Sequence, residues 1–262
     1  MTSKGISRIM QGVLRYQSTR RADVARDVRA LRENPGHIHP EALYITCMDS
    51  RLQPSMTTQT HVGDMYVIRN SGNLVPHSDH CGEDLWKHPS CETAALDLCC
   101  VRSNVGNVIV TGHSDCKAMN ALYDVVSTVA AGEREGPLHT YLRSYAVPTI
   151  MKMQQLLRSP NMEGPLEFSV TPRHRSFRAF IDPEHELSEM DKLSQVNVLQ
   201  QMENISSLSF LQTHLGDELV NLHAWWFNLT TGEYHMFSPR DERFIKLTEE
   251  SAAAMLGIVG KE

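Results

Sequence analysis

Cysteine and histidine residues follow two short apolar segments, and their spacing is typical of a metal site. Cys47 ends the segment 43–47, and His113 and Cys116 follow the segment 108–111 in His-x-x-Cys spacing. If the two segments are neighbouring parallel strands, the three side chains can converge on one point. Two thiolates and one imidazole are a common zinc ligand set. No fourth Cys or His lies close by to close the shell, which favours a catalytic zinc site over a structural one.

Asp49 and Arg51 follow Cys47 and form a second chemically significant pair. Two residues apart on an extended turn, their side chains can face the same side. An arginine keeps a neighbouring carboxylate ionised and fixes its orientation through a charge-assisted fork. A surface ion pair of little energetic value is the alternative. The position beside a predicted metal ligand favours a functional pair.

A competing group of histidines and cysteines lies between the two apolar segments. His88 and Cys91 repeat the His-x-x-Cys spacing, and His77, His80 and Cys81 precede them. His88 follows no strand, and short motifs often match by chance. We therefore interpret the group as a polar loop with a half-buried helix cysteine, and a second metal site is the alternative.

The elements that must position these residues alternate between apolar strands and helices, which predicts an α/β fold with a mostly parallel sheet flanked by helices. In such sheets, ligands bind beyond the carboxyl ends of the strands. Strands are predicted at 43–47, 65–68 and 108–111, with a C-terminal hairpin at 219–229 and 233–237. Helices are predicted at 6–33, 92–102 (capped by Ser90), from about 116, at 138–158, 187–213 and 247–258. Four prolines make 159–186 an irregular excursion with one short strand.

Composition excludes several classes of protein. The 262 residues carry 25 basic and 31 acidic side chains, and this net charge of −6 argues against nucleic-acid or acidic-membrane binding. The sequence contains no run of 18 or more apolar residues, so no transmembrane helix is predicted. No glycine motif for a nucleotide cofactor occurs. Six cysteines are too dilute for a disulfide scaffold, and Cys99 and Cys100, in an apolar helix, are predicted core residues.

Residues 1–21 are basic, with five Lys or Arg and no acidic side chain. Together with several serines, this composition resembles a mitochondrial presequence. The alternative is a mature amphipathic helix, because apolar residues recur there at helical spacing.

The motifs resemble those of the β-class carbonic anhydrases. Residues 47–51 match the C-x-D-S-R motif, and residues 112–116 match G-H-x-x-C. Between them, Gly63-Asp64 and the segment 67–73 are similar to the G-D and R-N-x-x-N stretch of the family. The segments 192–197 and 223–227 resemble the animal branch, so the likeness extends over nearly the whole chain.

This resemblance implies a zinc enzyme that reversibly hydrates carbon dioxide to bicarbonate and a proton. It assigns Cys47, His113 and Cys116 as ligands of one zinc ion per subunit, and Asp49 and Arg51 as the catalytic dyad. In the implied mechanism, zinc-bound hydroxide attacks carbon dioxide, and Asp49 orients the hydroxide. In part of the family the same aspartate occupies the fourth zinc position at low pH, and that alternative stays open.

The resemblance also implies an arrangement for the whole molecule. Residues 1–35 would form an N-terminal helical arm that extends onto a partner subunit, and residues 36–262 would form a single catalytic domain. A homodimer or an oligomer built from dimers is expected, without a nucleic-acid or membrane partner. A mitochondrial location suits the animal branch and the basic N-terminal segment, and the cytoplasm is the alternative.

Two other functions remain open at this stage. The same zinc site could act on carbonyl sulfide or carbon disulfide, because these molecules have the same small linear form as carbon dioxide. A non-catalytic, zinc-stabilised interaction protein is the other alternative, although such a protein would not need Asp49 and Arg51. Tyr66 and Val67 could line the substrate pocket, but core packing is expected for both, and His61 is expected at the surface.

Overall fold

Buried apolar segments form the centre of the fold, a sheet of six strands. The structure is a computed structural model and describes residues 4–33, 40–81, 89–127, 136–169 and 176–255. The strands of this part of the chain are β1 (Ala42–Cys47), β2 (Met65–Asn70), β3 (Asn107–His113), β4 (Leu166–Phe168), β5 (Phe177–Ala179), β6 (Asn221–Asn228), β7 (Glu233–Ser238) and β8 (Arg243–Lys246).

The sheet has the order β2-β1-β3-β6-β7-β8. The first four strands in this order are parallel, and β7 and β8 continue it as an antiparallel extension. The chain passes from β1 to β2 on one side and then to β3 on the other side of β1. The strand order therefore reverses between β1 and β3, the kind of position where α/β sheets bind ligands. The predicted α/β class with a mostly parallel sheet is confirmed.

Helices pack around this sheet and connect its strands. Those of the described residues are α1 (Lys4–Thr19), α2 (Arg21–Glu33), α3 (Pro54–Thr58), α4 (Ser78–Cys81), α5 (Cys91–Leu96), α6 (Lys117–Ser127), α7 (Pro137–Tyr145), α8 (Val147–Arg158), α9 (Glu189–Ser207), α10 (Gln212–Gly216) and α11 (Glu249–Met255). A π-helical turn, Asp97–Arg102, continues α5 and buries Cys99 and Cys100 as predicted. None of the described helices has the length and apolar character needed to cross a bilayer.

Helix α9 lies in the core against β3 and β6, although many of its residues are polar. Its buried amides bind backbone groups of the loop after β2. Asn197 donates to the carbonyl of Gly72, and Asn204 donates to that of Val75. Because buried polar groups are costly without partners, these bonds fix the position of the loop relative to the helix.

Gly112 permits the close contact between β3 and α9. A Cβ atom at this position would lie 2.5 Å from Val198 Cγ2 and 3.1 Å from Ser194 Oγ. Any larger residue would push the helix away from the strand end. Glycine is therefore required here by packing, next to His113.

Several predicted helix boundaries are wrong, because local chemistry interrupts the periodicity. The segment 6–33 forms two helices separated at Arg20, where the hydroxyls of Ser18 and Thr19 donate to carbonyls of the preceding turn. The segment 138–158 is divided at Ala146, because Pro148 lacks the amide that a continuous helix needs.

The C-terminal half differs from the prediction in three further places. The predicted helix 187–213 ends at Ser207, and a short turn separates it from α10. The proline-containing excursion holds two short antiparallel strands, β4 and β5, and not one. The predicted hairpin is present as β6 and β7, with β8 added at the edge. The last helix is described from Glu249 to Met255, and the rest of its predicted range lies outside the described residues.

Predictions for two residues of β2 and for one residue before it have different outcomes. Core packing of Tyr66 and Val67 is wrong: both side chains are exposed, because β2 is the edge strand of the sheet. The surface position of His61 is confirmed. Exposed apolar side chains on an edge strand are typical of a surface that another chain covers.

Candidate metal centre

Strands β1 and β3 bring the predicted ligands together. Each strand ends in one of them, Cys47 and His113, and the two strands pair in parallel register with Thr46 opposite Thr111. A tight turn after β3 then returns Cys116 to the same point. The two sulfur atoms and one imidazole nitrogen lie within 4.8 Å of one another, and all three residues are buried.

The distance between the two sulfurs suits a shared metal ion. Cys47 Sγ and Cys116 Sγ are 3.9 Å apart. Two sulfurs bound at about 2.3 Å to a tetrahedral zinc lie about 3.8 Å apart. Two thiols and one imidazole are donors that suit zinc, whereas magnesium and calcium prefer oxygen ligands.

The two thiols contact each other, and this contact moves their pKa values in opposite directions. The hydrogen bond from the Cys116 thiol lowers the pKa of Cys47, helped by His113 and by the amides of Gly72 and Asp49. The same contact with Cys47, together with burial, raises the pKa of Cys116. The thiolate that a metal requires is thus already favoured at one of the two sulfurs.

The imidazole of His113 is oriented for ligation. Its Nδ1 lies 2.8 Å from the carbonyl of Ser114, so Nδ1–H donates to that oxygen and leaves the lone pair on Nε2. Nε2 is buried and has no hydrogen-bond partner in the described parts of the chain. A buried, unsatisfied acceptor beside two thiols is the signature of a missing partner such as a metal ion.

Helix α9 also fixes the backbone of this histidine. Ser194 Oγ donates to the carbonyl of His113 at 2.8 Å and accepts from Trp226 Nε1 at 3.2 Å. Both bonds are buried, so they hold the end of β3 against the helix.

Asp49 and Arg51 form the bidentate pair that their spacing predicted. Arg51 donates from Nε to Oδ1 of Asp49 at 2.9 Å and from Nη2 to Oδ2 at 2.7 Å, and its amide adds a bond to Oδ1. These bonds from Arg51 hold the pKa of Asp49 well below its usual range. The carboxylate is therefore ionised near neutral pH.

The structure adds residues that spacing alone did not single out. Arg69 donates from Nε to the carbonyl of Cys47 and from Nη2 to that of Asp49, so it supports the turn between them. Asp115 binds the outer edge of Arg51. Arg69 lies in the R-N-x-x-N stretch and Asp115 inside G-H-x-x-C, but neither motif states what the side chain contacts.

The competing group of histidines and cysteines is only partly described. Its His88 lies outside the described residues, and the side chains of His80 and Cys81 are also outside them. Cys91 is exposed at the start of α5, which Ser90 caps as predicted. Within the part of the chain that the structure describes, the three ligands at the ends of β1 and β3 form the one cluster that could hold a metal.

Known proteins are similar to this chain in sequence. A family model described as carbonic anhydrase matches residues 42–234. "Beta carbonic anhydrase 1" of Caenorhabditis elegans is 35% identical over 251 residues, which cover 96% of this chain and 92% of that protein. The match therefore extends well beyond the ligand motifs.

Solved structures share the fold. The β-carbonic anhydrase CcaA has a TM-score of 0.69 and 22% identity, covering 94% of each chain. A structure described among "two tetrameric beta-carbonic anhydrases" of Sordaria macrospora has a TM-score of 0.54 and 18% identity, covering 87% of this chain and 98% of that one. The sequence match, the shared sheet and the Cys-His-Cys cluster lead to one conclusion: the chain is an enzyme of the β-class carbonic anhydrase family, related to its animal members.

Proposed function

We propose that this enzyme binds one zinc ion per subunit through Cys47, His113 and Cys116 and reversibly hydrates carbon dioxide to bicarbonate and a proton. One observation carries the proposal: three buried ligand atoms within 4.8 Å of one another lie beside a carboxylate fixed by an arginine. A structural zinc site needs the first feature but not the second. The family membership of the chain is consistent with this chemistry.

The residues of the site fit zinc and leave it one open coordination position. When bound, zinc would supply a Lewis acid that acidifies a water molecule near neutral pH. Two thiolates would cancel the formal charge of the dication, so this site should acidify water less than three neutral histidines would. The four amides that contact the two sulfurs, those of Gly72, Asp49, Ala118 and Met119, partly offset the thiolate charge.

Asp49 is suited to orient the oxygen that attacks carbon dioxide. Its Oδ1 accepts two hydrogen bonds from Arg51, whereas its Oδ2 accepts one among the described residues. Oδ2 therefore keeps acceptor capacity for a hydroxyl donor. Because Arg51 keeps the carboxylate ionised, Asp49 can only accept this bond, which directs a lone pair of the attacking oxygen toward the carbon.

The test is zinc content measured together with stopped-flow carbon dioxide hydration on the purified chain. We expect about one zinc per subunit, loss of activity on chelation and recovery when zinc is returned. Zinc-loaded protein without hydration activity between pH 6 and 9 would contradict the proposal and favour an interaction protein. A parallel assay with carbonyl sulfide tests the remaining alternative. Faster turnover of carbonyl sulfide than of carbon dioxide would make carbonyl sulfide the assigned substrate.

We further propose that the chain forms a homodimer, or an oligomer built from dimers, through α1. This helix has an apolar side formed by Ile6, Ile9, Met10, Val13 and Leu14, all exposed, and none of its residues is buried within the described chain. Val67 on the edge strand is exposed as well. Exposure of an apolar helix face of this length to water is unfavourable, and a partner surface that covers the face removes this cost.

A mitochondrial location is also proposed, with the cytoplasm as the alternative. Its support is the basic composition of residues 1–21 and the resemblance to the animal branch. Cell fractionation of the full chain carrying a C-terminal tag tests it. Recovery of the tag in the cytosolic fraction alone would overturn it.

A further inference from the structure

The arginine of the dyad is more exposed than the carboxylate that it orients. The Asp49 side chain is 9% exposed, whereas that of Arg51 is 41% exposed. A long, solvent-exposed arginine has many rotamers, and its pairing with one carboxylate is weakened by water and salt. A second support for the guanidinium would keep the pair in one geometry.

We propose that Asp115 is a positioning residue for carbon dioxide hydration, because it holds Arg51 in the orientation that fixes Asp49. The inference rests on the proposed function of the site. Asp115 would touch neither substrate nor metal, so its contribution to the rate would pass entirely through Arg51.

The guanidinium is bound from two sides. Its Nε and one Nη2 hydrogen bind Asp49, while Nη1 donates to Asp115 Oδ2 at 2.6 Å and Nη2 also donates to the carbonyl of Asp115 at 2.9 Å. Four of the five donors of a guanidinium are then in use. Two planar contacts on different edges restrict both rotation of the fork and movement of the side chain.

Asp115 is itself anchored to the core. Its amide donates to Asp191 Oδ1 at 2.8 Å, and Asp191 is bound through its Oδ2 by the hydroxyl of Ser188, the residue that caps α9. Helix α9 is largely buried from Lys192 onward, directly after Asp191, so packing of the helix in the core fixes the position of Asp191. A continuous set of contacts therefore runs from α9 through Asp191, Asp115 and Arg51 to Asp49.

Orientation explains this contact better than stability does. The Asp115 side chain is 63% exposed, and ion pairs between exposed groups contribute little to folding. Asp115 also has a positive φ of 50°, a backbone conformation that few residues other than glycine, asparagine and aspartate adopt readily. This conformation directs both the carboxylate and the carbonyl of one residue to Arg51.

The backbone conformation determines which variants are informative. Asp115→Gly keeps the positive φ and the carbonyl but removes the carboxylate. Asp115→Asn keeps the positive φ, the carbonyl and a side-chain oxygen that accepts from Nη1. A matched control is Glu242→Gln: Glu242 has a φ of 56°, pairs with Arg178 and lies on the edge hairpin.

The experiment measures kcat and KM for carbon dioxide hydration on zinc-loaded protein. For Asp115→Gly we expect kcat to fall about tenfold with KM nearly unchanged, because a misplaced catalytic group affects the transition state and not substrate binding. Asp115→Asn should recover most of that loss. In an Arg51→Ala background, Asp115→Gly should cause no further loss, because its effect passes through Arg51.

Zinc content and the unfolding midpoint separate positioning from folding. Asp115→Gly with wild-type zinc content and a wild-type kcat would overturn the proposal, and so would an equal loss in the Arg51→Ala background. If Asp115→Gly does not fold, Asp191→Ala tests the same contacts from the helix side and should lower kcat in the same direction. A wild-type enzyme without hydration activity would refute the proposed function. An active wild type together with an unchanged kcat in Asp115→Gly would refute only the positioning role.

Discussion

Each predicted zinc ligand has its own local support. The sulfur of Cys47 accepts hydrogen bonds from the amides of Gly72 and Asp49, and that of Cys116 accepts them from the first amides of α6. The imidazole of His113 is oriented by the carbonyl of Ser114. These supports orient the three ligand atoms toward one point. The site should therefore tolerate changes at distant cysteines and fail when one ligand is removed.

Cys47→Ser should abolish zinc retention, because a serine hydroxyl is not ionised near neutral pH and a coordinating thiolate is lost. Zinc content after gel filtration, measured by atomic absorption, checks this. Cys91→Ser is the matched control, since that cysteine is exposed and lies apart from the cluster. Stoichiometric zinc in Cys47→Ser would refute the ligand assignment.

Asp49→Asn should keep zinc and lose hydration activity by about a hundredfold or more, the usual contribution of a positioned hydrogen-bonding group to a transition state. The asparagine amide would present donors to the donors of Arg51, so the bidentate pair is lost. Asp97→Asn is the control, because Asp97 is paired with Arg102 at the surface. Near-normal stopped-flow rates in Asp49→Asn would remove it from the mechanism.

Strand β3 and helix α9 together position His113. Gly112, Val198 and Ser194 meet where the strand ends, one residue before His113. Gly112→Ala should cost about 1–3 kcal/mol of unfolding free energy, because the added methyl overlaps Val198. It should also lower the hydration rate of the folded fraction, since His113 moves with the strand end.

Urea unfolding and stopped-flow hydration measure both effects. Gly106→Ala is the matched control, because a Cβ atom there would meet only the carbonyl of Leu219, at an ordinary 3.5 Å. Equal stability of the two variants would show that Val198 can move to accommodate a methyl group at position 112.

The proposed assembly of subunits depends on the apolar side of α1. Ile9 and Leu14 are each 63% exposed. Ile9→Glu combined with Leu14→Glu should lower the mass measured by light scattering toward that of one subunit, because the charges cannot be buried in an interface without partners. Gln11→Glu with Gln17→Glu, on the same exposed helix, is the control. An unchanged mass in the apolar-to-charged variant would place the interface elsewhere.

Local sequence determined the chemistry of this protein. Cys47, His113 and Cys116 lie at or just after the ends of apolar segments that form buried strands. Asp49 and Arg51 are close enough in sequence to form their bidentate pair within one turn of the chain. Strand positions and the α/β class followed from the same apolar pattern. Helix ends were predicted less well, because Pro148 and the hydroxyls of Ser18 and Thr19 interrupt a periodicity that otherwise continues.

Only the tertiary structure decided which side chains meet across long stretches of chain. Whether β1 and β3 are neighbours depends on strand order, which no local pattern encodes. The contacts of Asp115 with Arg51 and Asp191 join residues 64 and 76 positions apart. Tyr66 and Val67 have apolar side chains in a strand, and their exposure follows from the edge position of β2. Such contacts depend on packing of the whole chain, because burial and strand order are set by every element at once.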